Sequence, residues 1–344
     1  MKILGIETSC DETAASVIQG DRKKIKVLSN IISSQINIHK KYGGVVPEVA
    51  AREHILNIIP VINKSLIKAG IEPKNAHKKI SAIAVTCGPG LMSSLIIGVE
   101  TAKSLGYIWK VPIIAINHIM GHIYANFIDD DIEFPALILT VSGGHTILIL
   151  MQSHKKYKII GETCDDAAGE AFDKASKMMN LGYPGGPIIS EYANKFKDIK
   201  NKKIKFPRPM IDSKNYDFSF SGLKTALLYA LKEDKNWQKK IPEYAYEFQQ
   251  AIIDVLIKKT IKANNKYAVK TIMLAGGVSA NKELRKQFKN AIKKIKNVEF
   301  KMPDLKYTTD NATMIATAGY FKAQRKEFTL WKKLKADCNC QIGI

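Results

Sequence analysis

The stretch Ala136-Leu137-Ile138-Leu139-Thr140-Val141, Ser142-Gly143-Gly144-His145, Thr146-Ile147-Leu148-Ile149-Leu150-Met151 reads as strand, tight turn, strand. Two short apolar runs broken only by a small polar turn have the length and punctuation of a buried hairpin. The chain opens on the same pattern. Lys2 to Thr8 reads as a strand, Ser9-Cys10-Asp11-Glu12 as a turn, and Thr13 to Ile18 as the returning strand. A third strand follows each hairpin, roughly Lys26 to Ser33 in the first case and Tyr157 to Glu162 in the second. Two hairpins of one design far apart in the chain indicate a coarse structural duplication, not a short tandem repeat.

The remaining segments extend both copies. A polar loop with Tyr42-Gly43-Gly44 leads into a long amphipathic helix from Glu48 to Ala69, with Ile55, Ile58, Ile59, Ile62 and Leu66 at helical spacing. Ile80 to Thr86 reads as a buried strand ended by Cys87-Gly88-Pro89-Gly90; a helix from Leu91 to Tyr107 and a strand from Pro112 to Ile116 follow. The charged break Asp129-Asp130-Asp131 is the expected boundary between a first half, 1–131, and a second half, 132–330, with a tail at 331–344. In the second half Thr271 to Ala275 reads as a strand ending in Gly276-Gly277, with a helix from Ala280. An insertion near 191–225 fits neither copy; its Phe206-Pro207-Arg208-Pro209 and Asp217-Phe218-Ser219-Phe220-Ser221-Gly222 look built to fold over something.

Bulk composition agrees with a packed protein of two domains. The chain has 344 residues, of which 46% are hydrophobic, enough for cores and against disorder. No apolar run reaches membrane-spanning length, and the first strand starts at once, leaving no room for a leader; a cytoplasmic protein is expected. Fifty-three Lys and Arg against 32 Asp and Glu give a formal charge of +21, which suits an anionic partner such as nucleic acid. Lysines scattered among Ile and Asn also fit a compositional bias with no binding face. Five cysteines do not read as a disulfide framework, and Cys338 and Cys340, a lone C-x-C, read as free thiols.

Several runs carry chemistry. His118 and His122 stand four apart in Asn117-His118-Ile119-Met120-Gly121-His122, on one face of a helix and within reach of one metal ion. A surface pair of histidines is the plain alternative. The spacing is that of H-E-x-x-H proteases, but Ile119 stands where their general base must be, which argues against a metalloprotease. Asp310, just before the helix from Ala312 towards Phe321, could be a helix cap or a third metal ligand arriving from the second half. The turn in Thr140-Val141-Ser142-Gly143-Gly144 can present backbone N–H groups to phosphate, although most glycine turns are plain hairpins. Ala275-Gly276-Gly277-Val278-Ser279-Ala280-Asn281 could let a flat base lie on the backbone, with the Asn281 amide facing a purine or ribose. Glu170 and Asp173 are one helical turn apart, placed either to hold ribose hydroxyls or to face solvent, and Tyr183-Pro184-Gly185-Gly186-Pro187 is another backbone-exposing turn.

In sum these runs resemble a known family. Gly5-Ile6-Glu7-Thr8-Ser9-Cys10-Asp11-Glu12-Thr13, Tyr42-Gly43-Gly44-Val45-Val46-Pro47-Glu48, Val141-Ser142-Gly143-Gly144-His145-Thr146, the Asp165 to Lys174 run, Phe218-Ser219-Phe220-Ser221-Gly222-Leu223-Lys224-Thr225 and Ala275 to Asn281 are similar, in order, to motifs of the TsaD-type tRNA N6-adenosine threonylcarbamoyltransferases, formerly labelled O-sialoglycoprotein endopeptidases. The resemblance implies an α/β fold of two RNase H-like halves in the actin, sugar-kinase and heat-shock-chaperone ATPase architecture. It implies transfer of threonylcarbamoyl from its adenylate to N6 of the adenosine beside the anticodon, in tRNAs reading codons that begin with A, with release of AMP.

The same resemblance implies site roles. His118, His122 and Asp310 would hold one divalent metal ion per subunit, iron ahead of zinc. Thr140, Val141, Ser142, Gly143, Gly144, Asp173, Gly186 and Asn281 would hold threonylcarbamoyl-AMP, and Asp11 and Glu12 would lie near the reacting carbonyl. Implied partners are tRNA, a TsaB-like paralogue and a TsaE-like ATPase, with no membrane. Two departures stand out: Met120 replaces a Glu common in bacterial relatives, and the tail after Leu330 lacks the family's usual ending. A nucleotide-binding ATPase or scaffold of the same fold is the competing reading, since fold does not fix function. The histidine pair with Asp310 discriminates, because a kinase holds Mg²⁺ through carboxylates and phosphates.

Overall fold

A computed structural model describes residues 1–22, 24–129 and 131–342; Asp130 of the charged break and the last two residues of the tail lie outside the described residues. The chain forms two compact units, one of Met1–Ile132 with Pro303–Ile344, the other of Glu133–Met302. The first boundary falls beside the charged break. The second differs from the expected end at 330: the chain from Pro303 onward packs with the first unit, because its helix completes that unit's core.

In the first unit β1 (Lys2–Glu7), β2 (Glu12–Asp21), β3 (Lys24–Ser34), β4 (Ala82–Gly88) and β5 (Ile113–Asn117) form a sheet of order β3-β2-β1-β4-β5. β1 is antiparallel to β2 and parallel to β4. Its helices are the one-turn α1 (Ile36–His39), α2 (Pro47–Lys68), the one-turn α3 (Ala76–Lys79), α4 (Met92–Trp109) and α5 (His118–Tyr124). Leu4 and Ile6 of β1 pack with Ile58, Ile62 and Leu66 of α2 and Val99 of α4. The alternate face of β1 meets the last helix of the chain, 312–324. That helix lies so close that a Cβ on Gly5 would come within 2.3 Å of Ala312 O. Glycine is required there by contact, not by backbone angle. The buried stripe of α2 is rotated from the one expected: Ile55 and Ile59 are 59% and 51% exposed, while His54, Val61 and Ser65 are buried.

The second unit repeats the plan. β6 (Ala136–Val141), β7 (Thr146–Ser153), β8 (Lys156–Glu162), β9 (Thr271–Ala275) and β10 (Glu299–Lys301) run in the order β10-β9-β6-β7-β8, again with an antiparallel hairpin and two parallel additions. The duplication read from the hairpins therefore extends to five strands in each unit. Between β8 and β9 lie α6 (Ala168–Met178), α7 (Gly185–Lys195), α8 (Ser221–Glu233) and the 27-residue α9 (Ile241–Tyr267). After β9 come α10 (Lys282–Ile292) and, back in the first unit, α11 (Ala312–Gln324). The insertion crosses α9: Phe206 is buried, and Lys202 and Arg208 both pair with Glu247, a wholly buried carboxylate. Two cations on one such carboxylate offset its desolvation.

Candidate functional site

β5 ends at Asn117, whose side chain accepts the Ile119 and Met120 N–H groups at 2.9 and 3.3 Å and so starts α5. One turn of helix then brings His118 and His122 together edge to face, ring centroids 4.7 Å apart. α11 is capped by Asn311, which accepts the Met314 N–H at 3.0 Å. Asp310 is therefore not the cap. Its Oδ1 lies 3.2 Å from His122 Nε2 and 3.5 Å from His118 Nε2. One ligand atom from each of the three residues falls within 4.8 Å of the others. Asp310 does not arrive from the second half, as the linear order suggested; it belongs to the same compact unit as the histidines.

The surroundings fit a cation. His122 is 1% exposed, and neither ring nitrogen makes a hydrogen bond, since the approach of Nε2 to Asp310 lacks hydrogen-bond geometry. A buried imidazole without partners is costly unless something else binds it. His118 Nδ1 faces Glu7 Oε2 and Ser9 Oγ, each at 3.1 Å, which turns Nε2 towards Asp310. Glu7 is fully buried at the end of β1; its Oε1 accepts the Ser9 N–H and its Oε2 the Thr86 hydroxyl at 2.6 Å. Burial pushes the Glu7 carboxyl up, but His118 outweighs it and the net shift is downward. For His118 burial works against the charged ring, yet Asp310 and Glu7 push it up to about 9. Two carboxylates thus favour positive charge at the His118 ring. A carboxylate behind a histidine is the usual support of a metal ligand. The sequence reading missed Glu7, although it sits inside one of the quoted motifs.

Asp11 and Glu12 follow on the turn between β1 and β2. Asp11 is 8% exposed, and its carbonyl accepts the Gln35 N–H at 3.0 Å. Glu12 accepts the Ser34 hydroxyl at 3.0 Å; burial, then the Asp310 and Asp11 carboxylates, push its carboxyl up to about 10. The turn is held from α2 by His54, whose ring bonds Thr13 Oγ1 at 2.8 Å and the Cys10 carbonyl at 2.9 Å. Both expected carboxyl groups thus belong to the same unit as the His118–His122–Asp310 cluster.

In the second unit the open part of the Thr140–Gly144 segment is narrower than expected. Thr140 and Val141 are fully buried in β6; Gly143 and Gly144 are exposed, with open space where a Cβ would stand. The start of α6 closes on this turn, Gly169 and Glu170 donating to the Ser142 and Gly143 carbonyls at 3.2 and 3.1 Å. Gly276, at φ +85, lies against β6, where a Cβ would come 2.4 Å from Val141 O. Asp173 accepts the Gly185 N–H at 2.7 Å, and Gly186 next to it is open. Asn281 caps α10 through Leu284 N–H at 3.0 Å and donates to Gln249 Oε1 at 2.7 Å, so both ends of its amide hold structure. Glu170 pairs with Lys174 at 2.7 Å, and Lys174 and Lys224 both pair with Asp166. Neither Glu170 nor Asp173 is simply a solvated acid. Asp165 binds both hydroxyls of Ser219 and Ser221 and the Phe220 and Ser221 N–H groups, which holds its carboxyl low despite the upward pull of burial.

Two five-stranded sheets with one strand order define an α/β protein of the actin and sugar-kinase architecture. Among solved structures, the HypF of T. kodakarensis is similar with a TM-score of 0.62 and 12% identity over 97% of this chain and 49% of that one. The (R)-2-hydroxyglutaryl-CoA dehydratase component A of Acidaminococcus fermentans is similar with a TM-score of 0.51 and 15% identity, over 94% and 99% of the two chains. These likenesses establish the fold alone. The chain belongs to the TsaD family: the family model described as TsaD, tRNA N6-adenosine threonylcarbamoyltransferase, matches residues 26–317. Proteins named tRNA N6-adenosine threonylcarbamoyltransferase are 48% identical in Syntrophomonas wolfei, over 95% of this chain and 94% of that protein, and 46% identical in Bacillus subtilis, over 93% and 90%. In Thermosipho africanus the likeness is 46% over 99% and 100%. That last alignment reaches into the tail, so the terminal segment has a counterpart in at least this relative.

Proposed function

We propose that this chain transfers the threonylcarbamoyl group of threonylcarbamoyl-AMP to N6 of the adenosine beside the anticodon, in tRNAs reading codons that begin with A, and releases AMP. Family membership over nearly the whole chain carries the reaction class, a transferase acting on tRNA. The observation that carries the metal-dependent form is the His118–His122–Asp310 cluster, in which the buried His122 ring nitrogens make no hydrogen bond. Two histidines and one carboxylate are a donor set suited to iron(II) and open to zinc, and we assign Fe²⁺. A bound divalent ion supplies Lewis acidity to a carbonyl or phosphate oxygen.

The chain's own residues do the rest. An exocyclic adenine amine is a weak nucleophile, so the acyl group must come as a mixed anhydride and be held in line. The amine attacks the carbamoyl carbon, the bond from that carbon to the phosphate oxygen breaks, and a proton leaves N6. Asp11 and Glu12 are the carboxyl groups we assign to the surroundings of the reacting carbonyl. In the second unit we assign the Thr140–Gly144 turn, Asp173, Gly186 and Asn281 to the adenylate; Gly143, Gly144 and Gly186 have the open backbone for it. By this reading the metal-bearing half is the first unit and the nucleotide-bearing half the second. The excess of 53 basic over 32 acidic residues suits tRNA. A TsaB-like paralogue and a TsaE-like ATPase complete the expected system, and a tRNA substrate implies the cytoplasm as its compartment. No helix among the described residues is long and apolar enough to cross a membrane.

The test is nucleoside analysis by mass spectrometry. Unmodified tRNA is incubated with the chain, its partner proteins and preformed threonylcarbamoyl adenylate. Threonylcarbamoyladenosine that appears only when this chain is present supports the reading. No product, with the partners shown active beside another transferase, overturns it.

A further inference from the structure

Two thiols that the transfer chemistry does not use meet at the end of β4. The Cys87 carbonyl accepts the Asp337 N–H at 2.8 Å, so the terminal segment lies against the strand. Three residues on, the Cys340 N–H returns to the Asp337 carbonyl at 3.2 Å. Asn117 Nδ2 reaches both the carbonyl and the sulfur of Cys340, at 3.1 and 3.5 Å. Gly88 permits this approach: a Cβ there would stand 1.8 Å from Asp337 O and 2.9 Å from the Cys340 Cβ. The Cys87 thiol donates to the Ile116 carbonyl at 3.4 Å, next to the Asn117 side chain that reaches the Cys340 sulfur. Both cysteines are partly exposed and neither is in a disulfide. Asn117 ties the pair to the site, because the same side chain caps the helix that carries His118 and His122.

We propose that Cys87 and Cys340 are an oxidation site for peroxides, closing to a reversible intramolecular disulfide that fastens the terminal segment to β4. The neighbouring Cys87 thiol is the main influence that brings the Cys340 thiol down to about 6, while Cys87 is pushed up by Cys340 and by burial. Cys340 is thus the attacking sulfur. Its thiolate takes one oxygen of hydrogen peroxide, giving a sulfenic acid and, after protonation, water. The Cys87 sulfur then attacks the oxidised sulfur, the S–S bond forms, and the hydroxyl leaves as a second water. Two thiols and one peroxide become one disulfide and two waters. A thiol reductant reverses the step. Cys338, two residues from Cys340, makes no comparable contact with Cys87 and takes no part.

The full-length chain is treated with hydrogen peroxide, the remaining thiols are alkylated, and the protein is digested and mapped without reduction. A linked peptide pair holding Cys87 and Cys340, lost on adding dithiothreitol, is expected. Cys338→Ser keeps the link and Cys340→Ser abolishes it, with circular dichroism showing both variants folded. Limited trypsin gives a second readout: the oxidised chain keeps its terminal peptide attached after cleavage at Lys333 or Lys335, and the reduced chain releases it. A Cys338–Cys340 link, a link between chains, or overoxidation of Cys340 with Cys87 left free would overturn the proposal.

Discussion

Gly5 offers a direct way to perturb the metal cluster from outside it. A Cβ at this position would lie 2.3 Å from Ala312 O, 2.8 Å from Ala316 N and 2.9 Å from Ala316 Cβ. None of these atoms can rotate away, so Gly5→Ala must lift the first turns of α11 from β1 by about 1 Å to restore ordinary contact. Overpacking of this kind costs about 1–3 kcal/mol. For a unit of this size that lowers the melting temperature by roughly 2–12 °C. The same movement draws Asp310, two residues before Ala312, away from His122, now 3.2 Å from it. Divalent-metal affinity of Gly5→Ala should therefore fall as well, read by isothermal titration and by the visible spectrum of the Co²⁺-substituted protein. Gly319→Ala is the control. It clashes with Ala84 Cβ at 2.4 Å, further along α11, and should cost stability with a smaller loss of metal affinity. If Gly5→Ala melts and binds metal like the parent, the argument that this packing sets the cluster is wrong.

Glu7→Gln keeps the volume but leaves one carboxylate oxygen fewer for Ser9, Thr86 and His118; metal affinity should drop about 10–100-fold with little change in circular dichroism. Titration of the folded variant with Zn²⁺ checks this, and unchanged affinity removes Glu7 from the account. Asp165→Ala frees four bonds at the start of α8 and should destabilise by about 1–2 kcal/mol, with Ser219 to Ser221 gaining hydrogen exchange. Protection equal to the parent's would argue against Asp165 as the anchor of that turn. Cys340 is the one thiol brought well below the ordinary range, so its alkylation should be half-maximal near pH 6, with the thiolate gained as pH rises. Cys87→Ala removes the neighbouring thiol that lowers it and should move that midpoint upward; an unshifted profile would mean that Cys87 does not hold the thiolate.

The architecture was legible where local chemistry repeats itself. Ala136–Val141 and Thr271–Ala275 are strands with the limits their apolar runs suggested, and the two hairpins announced two units of one plan. Helix α2 was legible as a helix but not in its rotation, because Ile55 and Ile59 add apolar residues outside the buried stripe and the pattern alone cannot choose among them. The return of the chain at Pro303 was hidden, since what binds α11 to the first sheet is the absence of side chains at Gly5 and Gly319. The histidine spacing exposed the pair His118 and His122 of a cluster able to hold a metal ion, as it is a local property of one helix. For Asp310 the sequence offers both cap and ligand, and the structure gives the cap to Asn311. Glu7 was missed because its partner His118 is far along the chain, and only the sheet, with β4 between β1 and β5, brings the end of β1 to the start of α5. The turns of the second unit were legible by their glycines, whereas the ties of Asn281 and Asp173 to neighbouring elements are tertiary facts.

The central claim is metal-assisted transfer at the cluster of the first unit. Its most direct test is the yield of threonylcarbamoyladenosine from unmodified tRNA with the parent chain and with His118→Ala, alongside the bound metal and circular dichroism of each. The account predicts that His118→Ala stays folded, loses its metal and falls in transfer by orders of magnitude. Near-parent transfer by a folded, metal-free His118→Ala chain would contradict it.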